Sequence, residues 1–242
     1  MTARLPGGEV VLLFAATIVV SAFLPFLPGG ILGRIAAQQI LAVAGSALVV
    51  MRLAGLSWRE VAGTASPELR VWLGTVAGTL GWALLQAPLL DFWAAAIGAS
   101  PPAWWHDATR GEAARDVLLM AVGLVVIPPL AEELFFRGVF QVRAAAFGRA
   151  ASLVGPSVVF AVYHMDPYGF PVQLASAVAL GLLRERAGGL YAPIAAHALN
   201  NALGVAELAR GEGPLLEARL ALPLGAVLLA AGVWLLWRRK AP

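Results

Sequence analysis

Eight stretches of mostly apolar residues, near 9–27, 31–51, 71–90, 117–136, 151–165, 170–187, 189–206 and 215–237, decide what this chain can become. Lipid offers a backbone no hydrogen-bond partner, so a segment of about 20 apolar residues can cross a bilayer only as a helix that satisfies its own N–H and C=O groups. With 60% hydrophobic and 13% charged residues the chain does not fit an ordinary soluble fold. The expected fold is all-α, a polytopic membrane bundle of about eight transmembrane helices. The fifth to seventh stretches are short and nearly touch, so a tilted or merged arrangement of seven is the alternative.

Charge placement suggests an orientation. With eight spans and an inside N-terminus, twelve of the seventeen basic residues fall on inside segments: Arg4, Arg52, Arg59, Arg70, Arg137, Arg143, Arg149, Arg184, Arg186, Arg238, Arg239 and Lys240. The outside loops collect Asp91, Asp107, Glu112, Asp116, Asp166, Glu207, Glu212 and Glu217. By the positive-inside rule both termini are expected to be cytoplasmic. The basic residues are scattered between apolar segments rather than clustered, so the pI near 9.9 reflects topology and no nucleic-acid partner is expected. The first apolar run reaches Leu27 without a small-residue cleavage site and reads as a retained helix rather than a signal peptide.

Residues 52–70 mix charges with leucine and tryptophan and suit a cytoplasmic loop lying partly on the membrane surface. Residues 91–116 form the longest polar connection, where Pro101, Pro102, Trp104 and Trp105 fit an outer aromatic belt and His106 reads as a loop histidine. No fixed-period repeat or domain linker occurs. The chain is expected to divide into N-terminal helices and loops over 1–116, a core over 117–206, and a C-terminal helix with a basic tail over 207–242. Cysteine is absent, which removes disulfides, thiolate metal sites and a thiol nucleophile.

Polar residues inside apolar segments cost about 3 kcal/mol each on insertion scales, so they face a protein interior or a watery cavity. The densest group follows Pro128-Pro129, where Glu132, Glu133 and Arg137 enter a helix. A helix beginning at Pro129 loses nothing from the missing proline N–H and places both glutamates in its first turn, where the helix dipole favours carboxylates. Glu133 and Arg137 stand four apart and can pair. Glu132 points about 100° away and is left free for chemistry.

Two more spans carry polar residues at helical spacing. Phe160 and His164 share one face of the fifth stretch, and His197 and Asn201 share one face of the seventh. Asn200 faces elsewhere and suits a contact with a neighbouring helix. Each group alone has a structural explanation; two histidines, two glutamates and an asparagine on three apolar helices point to a common polar cavity.

The three motifs, EExxxR at Glu132 to Arg137, FxxxH at Phe160 to His164 and HxxxN at His197 to Asn201, resemble the CPBP family, the CAAX prenyl endopeptidases and their bacteriocin-processing relatives. The resemblance covers roughly residues 117–206 in order, spacing and placement. It implies that Glu132 activates water with help from His164, that His197 and Asn201 steady the oxyanion, and that Glu133 with Arg137 and Phe160 supports the constellation. The chemistry agrees: a carboxylate removed from water is a stronger base, and two donors aimed at one point can hold a tetrahedral oxyanion. A zinc enzyme using Glu132, His164 and His197 as ligands is the alternative mechanism. The metal-free glutamate reaction, without a cofactor, is the preferred one.

Other membrane-protease signatures are missing. There is no HExxH and no GxGD, and Ser157 in Gly155-Pro156-Ser157-Val158 lacks the glycine that closes a GxSG loop. The expected function is a glutamic-type intramembrane endopeptidase that cleaves a membrane-associated protein or peptide. A non-catalytic membrane scaffold or immunity-type protein of the same fold is the principal rival, and a transporter the third reading. Sixteen arginines to one lysine, with abundant alanine and glycine, suggest a GC-rich bacterial genome. The expected location is therefore the bacterial inner membrane, and a C-terminal sorting tail or membrane-anchored precursor suits the enzyme better than a prenylated CAAX substrate.

Overall fold

The apolar stretches do form helices. The computed structural model describes residues 31–64, 66–100, 121–210 and 216–238, with Gly8 and Ala15 as isolated positions. The expected first span, residues 117–120 of the fourth, and Pro101, Pro102, Trp104, Trp105 and His106 lie outside the described residues. Helix α1 covers residues 31–54, α2 Trp58–Ala62, α3 Leu69–Ile97, α4 residues 121–147, α5 Arg149–Tyr163, α6 Phe170–Ala187, α7 Tyr191–Arg210 and α8 Ala218–Trp237. No strand occurs among the described residues, where the sole extended contact is an isolated bridge between Gly63 and Gly189.

The fifth to seventh stretches are three separate helices rather than merged ones. Among the described residues three helical segments, Gly33–Ala54, Leu69–Ile97 and Ala218–Trp237, are long and apolar enough to cross a membrane, and α5 is a shorter apolar helix. Helices α4, α6 and α7 fall below that mark for a chemical reason: they carry Glu132, Glu133, Arg137, Gln173, Arg184, His197, Asn200 and Asn201. Polar residues that build a site also dilute the signal of a span.

The basic residues at the helix ends meet at one end of the bundle. Arg70 Nη1 donates to the Arg238 carbonyl at 2.9 Å, Arg184 Nη2 donates to the carbonyls of Glu60 and Val61, and Arg186 donates to the Leu236 carbonyl. Arg149 pairs with Glu185 at 3.0 Å on the same end. Cations thus satisfy the last carbonyls of α8, which have no intrahelical donor. At the opposite end Trp93 Nε1 donates to the Pro167 carbonyl in the loop after α5.

The surface helix α2 is set by its cap. Ser57 accepts from the Glu60 N–H while the Glu60 carboxylate accepts from the Ser57 N–H, a reciprocal capping box. These bonds hold the Glu60 carboxyl below its ordinary pKa. Val61 is fully buried under the helix and Trp58 stays exposed, as expected of a segment resting on a membrane surface. Gly63 then passes directly against the Gly188 carbonyl at φ +79°, where a side chain has no room.

Helices α3 and α8 pack through glycine. A Cβ on Gly232 would sit 2.5 Å from the Gly78 nitrogen, one on Gly74 would meet Leu236 at 2.9 Å, and one on Gly81 would collide with the Leu229 nitrogen. Small residues let two backbones approach until dispersion replaces the hydrophobic drive that lipid cannot supply. The apolar core lies elsewhere, where Val43, Ala47 and Val50 of α1 meet Phe135, Phe136 and Val139 of α4 and Phe160 of α5.

Candidate active site

Helix α4 explains how two glutamates reach the core. It is one continuous helical run that changes pitch: a π-helical stretch Ala121–Val126, an α-helical stretch Ile127–Glu132, and a second π-helical stretch Glu133–Phe140. Pro128 and Pro129 are the second and third residues of the α-helical stretch, and the preceding π-helical stretch carries the helix through them. The glutamates are therefore mid-helix, not in the first turn of a free helix end. Pro128 has no N–H, which leaves the Leu124 carbonyl four residues earlier without its α-helical donor. Asn201 Nδ2 on α7 supplies one at 2.8 Å.

Glu133 and Arg137 form the expected i, i+4 pair at 3.0 Å, and both are fully buried. A buried ion pair is tolerable only when the remaining polar atoms find partners. Arg137 finds two, donating from Nη2 to the Ala177 carbonyl at 3.0 Å and lying over the Phe160 ring at 4.7 Å. Glu133 Oε1 also meets His197 Nδ1 at 2.9 Å. A proton on Nδ1 donates to that carboxylate and fixes the imidazole, which leaves Nε2 as the atom available for other work.

That atom faces the other glutamate. His197 Nε2 lies 3.9 Å from Glu132 Oε2, an oxygen that is buried and has no hydrogen-bond partner among the described residues. Its twin, Oε1, accepts from Gln39 Nε2 at 2.7 Å. Glu132 is not free on both sides, as its direction on the helix suggested; one oxygen is held and the other is not.

His164 stands at the C-terminal end of α5, exposed, with its Nδ1 2.8 Å from the Phe160 carbonyl. Among the described residues no hydrogen bond or ion pair joins it to Glu132. Phe160 stands between: its ring is 4.6 Å from His164 and 6.0 Å from His197, centroid to centroid. The phenylalanine of the FxxxH pair is thus a spacer touching both histidines and the guanidinium.

A cavity of about 340 Å³ opens on this constellation. Phe160, His164, His197 and Asn201 line one side, with Gln173 and Ser176 of α6 beside them, and α3 and α8 close the other side. Glu132 is not in the lining and lies behind His197. The expected oxyanion donors also need restating: His197 Nδ1 and one Asn201 N–H are already committed, to Glu133 and Leu124, so any donation into the cavity comes from His197 Nε2 and the second Asn201 N–H.

Asn200 contacts a neighbouring helix as expected, accepting from Gln86 Nε2 at 2.5 Å. Ser157 is buried and donates to the Leu153 carbonyl of its own helix at 2.6 Å, which leaves it no partner for a dyad. The zinc alternative does not fit the geometry. Glu132, His164 and His197 do not converge, and among the described residues no group of three or more His, Cys, Asp or Glu side chains is placed to hold a metal ion.

Gln39 escaped the sequence reading. It lies in α1, outside the motif-bearing spans, and only the tertiary pairing of α1 with α4 brings it to Glu132. A second polar contact of the same kind joins Gln38 Nε2 to the Tyr163 hydroxyl at 2.9 Å. Two adjacent glutamines in an apolar stretch were the available signal.

Residues 114–203 match a protein-family model described as Type II CAAX prenyl endopeptidase Rce1-like. The matched segment holds every motif residue, and the similarity agrees with the resemblance to the CAAX-protease family that the motifs carry. That family is one of membrane endopeptidases. Helices α1, α3 and α8 lie outside the matched residues. No curated protein and no solved structure matches the chain.

Proposed function

We propose that this protein is a glutamic intramembrane endopeptidase in which Glu132 is the general base. The observation that carries the reading is Glu132 Oε2: a buried carboxylate oxygen without a partner, 3.9 Å from His197 Nε2, behind the wall of a cavity. An unpaired buried carboxylate oxygen is costly to stability and suited to removing a proton from water. In the reaction, water held between Glu132 and the cavity gives its proton to Oε2 and its oxygen attacks the peptide carbonyl carbon. The oxyanion accepts from protonated His197 Nε2 and from the second Asn201 N–H. As the C–N bond breaks, the proton passes from Glu132 to the leaving nitrogen.

Glu133 keeps His197 oriented through Nδ1, and Arg137 pairs with Glu133 and holds that carboxylate in place. His164, at the cavity wall, presents Nε2 to the substrate side and assists the water or the leaving group. The long helices span a bacterial inner membrane with the basic end cytoplasmic, and the substrate is a membrane-associated protein or peptide such as a sorting tail or anchored precursor. The test compares new protein termini in membranes of cells expressing wild type, Glu132→Gln or His164→Ala at matched levels. The proposal requires termini that appear with wild type and vanish in both variants; identical profiles in the presence of candidate substrates would leave a scaffold as the better reading.

A further inference from the structure

We infer that Gln39 is a positioning residue for Glu132: its amide fixes one carboxylate oxygen so that the other faces His197. This rests on the protease reading above and extends the site beyond the matched family segment, to α1. The terminal torsion of a glutamate is broad and roughly two-fold, so an unrestrained carboxylate does not hold one oxygen in one place. Gln39 Nε2 at 2.7 Å from Oε1 restricts it, and Oε2 is left as the oxygen near His197 Nε2.

The local geometry is built for this contact. Residues Gln38–Ala44 are π-helical within α1. There the adjacent side chains of Gln38 and Gln39 engage two site helices: both approach the Tyr163 hydroxyl on α5, and Gln39 donates to Glu132 on α4. Wider turns of this kind occur mostly where a helix serves a site. Gln39 also carries a cost. It is 5% exposed and its own Oε1 is buried without a hydrogen-bond partner. A leucine of similar size would not carry that penalty. Packing alone therefore does not account for an amide here, whereas orientation of Glu132 does.

The experiment uses full-length protein with Gln39→Leu, Gln39→Glu and, for comparison, Gln38→Leu, which removes a hydrogen bond of similar length from the same helix. Cleavage is read as the rate at which Glu132-dependent termini accumulate. Orientation is read as the infrared band of the Glu132 carboxyl group, isolated by subtracting the spectrum of Glu132→Gln. The expected result is that both Gln39 variants accumulate normally, cut the same sites about tenfold to a hundredfold more slowly, the range for a lost hydrogen bond to a charged group, and shift the band. Gln38→Leu cuts at close to the wild-type rate with the band unmoved.

Wild-type cleavage by Gln39→Leu, or equal slowing by Gln38→Leu and Gln39→Leu with an unmoved band, overturns the inference. If Gln39→Leu does not fold, Gln39→Glu, which keeps size and shape, decides on the same readouts. Should the wild type itself yield no Glu132-dependent termini, the protease reading fails. The infrared comparison then still decides whether Gln39 sets the carboxyl group.

Discussion

The two walls of the cavity are held together by opposite means. On one side α4 and α7 are joined by charge and hydrogen bonds through Glu133, Arg137, His197 and Asn201, with 0% to 9% of Glu133, Arg137 and His197 exposed. On the other, α3 and α8 are joined by close backbone approach at Gly74, Gly78, Gly81, Gly225 and Gly232. Polar side chains are the costly way to join helices in lipid and small residues the inexpensive way. A wall that uses the costly way is the one where chemistry belongs.

The largest test of that contrast is Arg137→Met. It strips the buried Glu133 carboxylate of its guanidinium partner, leaving it only the His197 Nδ1 contact, and should cost about 3–5 kcal/mol, seen as loss of folded protein. The double variant Glu133→Leu, Arg137→Met sharpens the point: removing both charges should restore much of the stability, yet leave cleavage absent because His197 has lost its Nδ1 partner. On the glycine side, Gly232→Ala pushes a methyl into the Gly78 backbone and should cost roughly 1–3 kcal/mol in thermal unfolding. Cleavage per folded molecule should change far less there than in any variant of the polar wall.

Asn201→Leu should sit between the two classes. It leaves the Leu124 carbonyl without a donor, costing about 1–3 kcal/mol, and also removes an oxyanion donor, so stability and rate fall together. The smallest effect is expected from Ser57→Ala, which opens the capping box and should speed amide exchange in α2 without touching cleavage. Glu60, whose pKa is lowered by the Ser57 bonds, supports α2 above the ordinary carboxylate range and loses that support as pH falls through its lowered value. Protection of the α2 amides, taken as exchange relative to the intrinsic rate at each pH, should therefore fall on acidification in wild type and change less in Ser57→Ala.

Helix-forming stretches and the i, i+4 pairs were legible because both follow from periodicity. Glu133 with Arg137 needed only the helical repeat, and the shared face of His197 and Asn201 needed no more. What those side chains bond to was not legible. Asn201 turns to Leu124 because Pro128 took away a donor on another helix, a relation that spans 77 residues. The Pro128-Pro129 pair suggested a helix start with two glutamates in its first turn; a π turn upstream and the Asn201 amide carry the helix through instead.

Gln39 and the glycine seam were missed for different reasons. Gln39 reaches Glu132 only through tertiary packing, and its signal in the sequence was no motif spacing but the adjacent pair Gln38-Gln39 in an apolar stretch. Gly74, Gly78 and Gly81 do carry a pattern, small residues at i, i+4 and i+7, and so does the Gly225 and Gly232 pair, so a search for small-residue stripes would have found that seam. The count of spans was the hardest to read, since α4, α6 and α7 trade hydropathy for the residues of the site.

The most direct measurement takes wild type and Glu132→Gln, purified and also expressed at matched levels, and records thermal unfolding beside cleavage. Removing a buried, half-partnered carboxylate should leave stability equal or higher while Glu132-dependent termini disappear. A variant that unfolds earlier yet still cuts would contradict the account, because Glu132 would then be serving the fold and not the reaction.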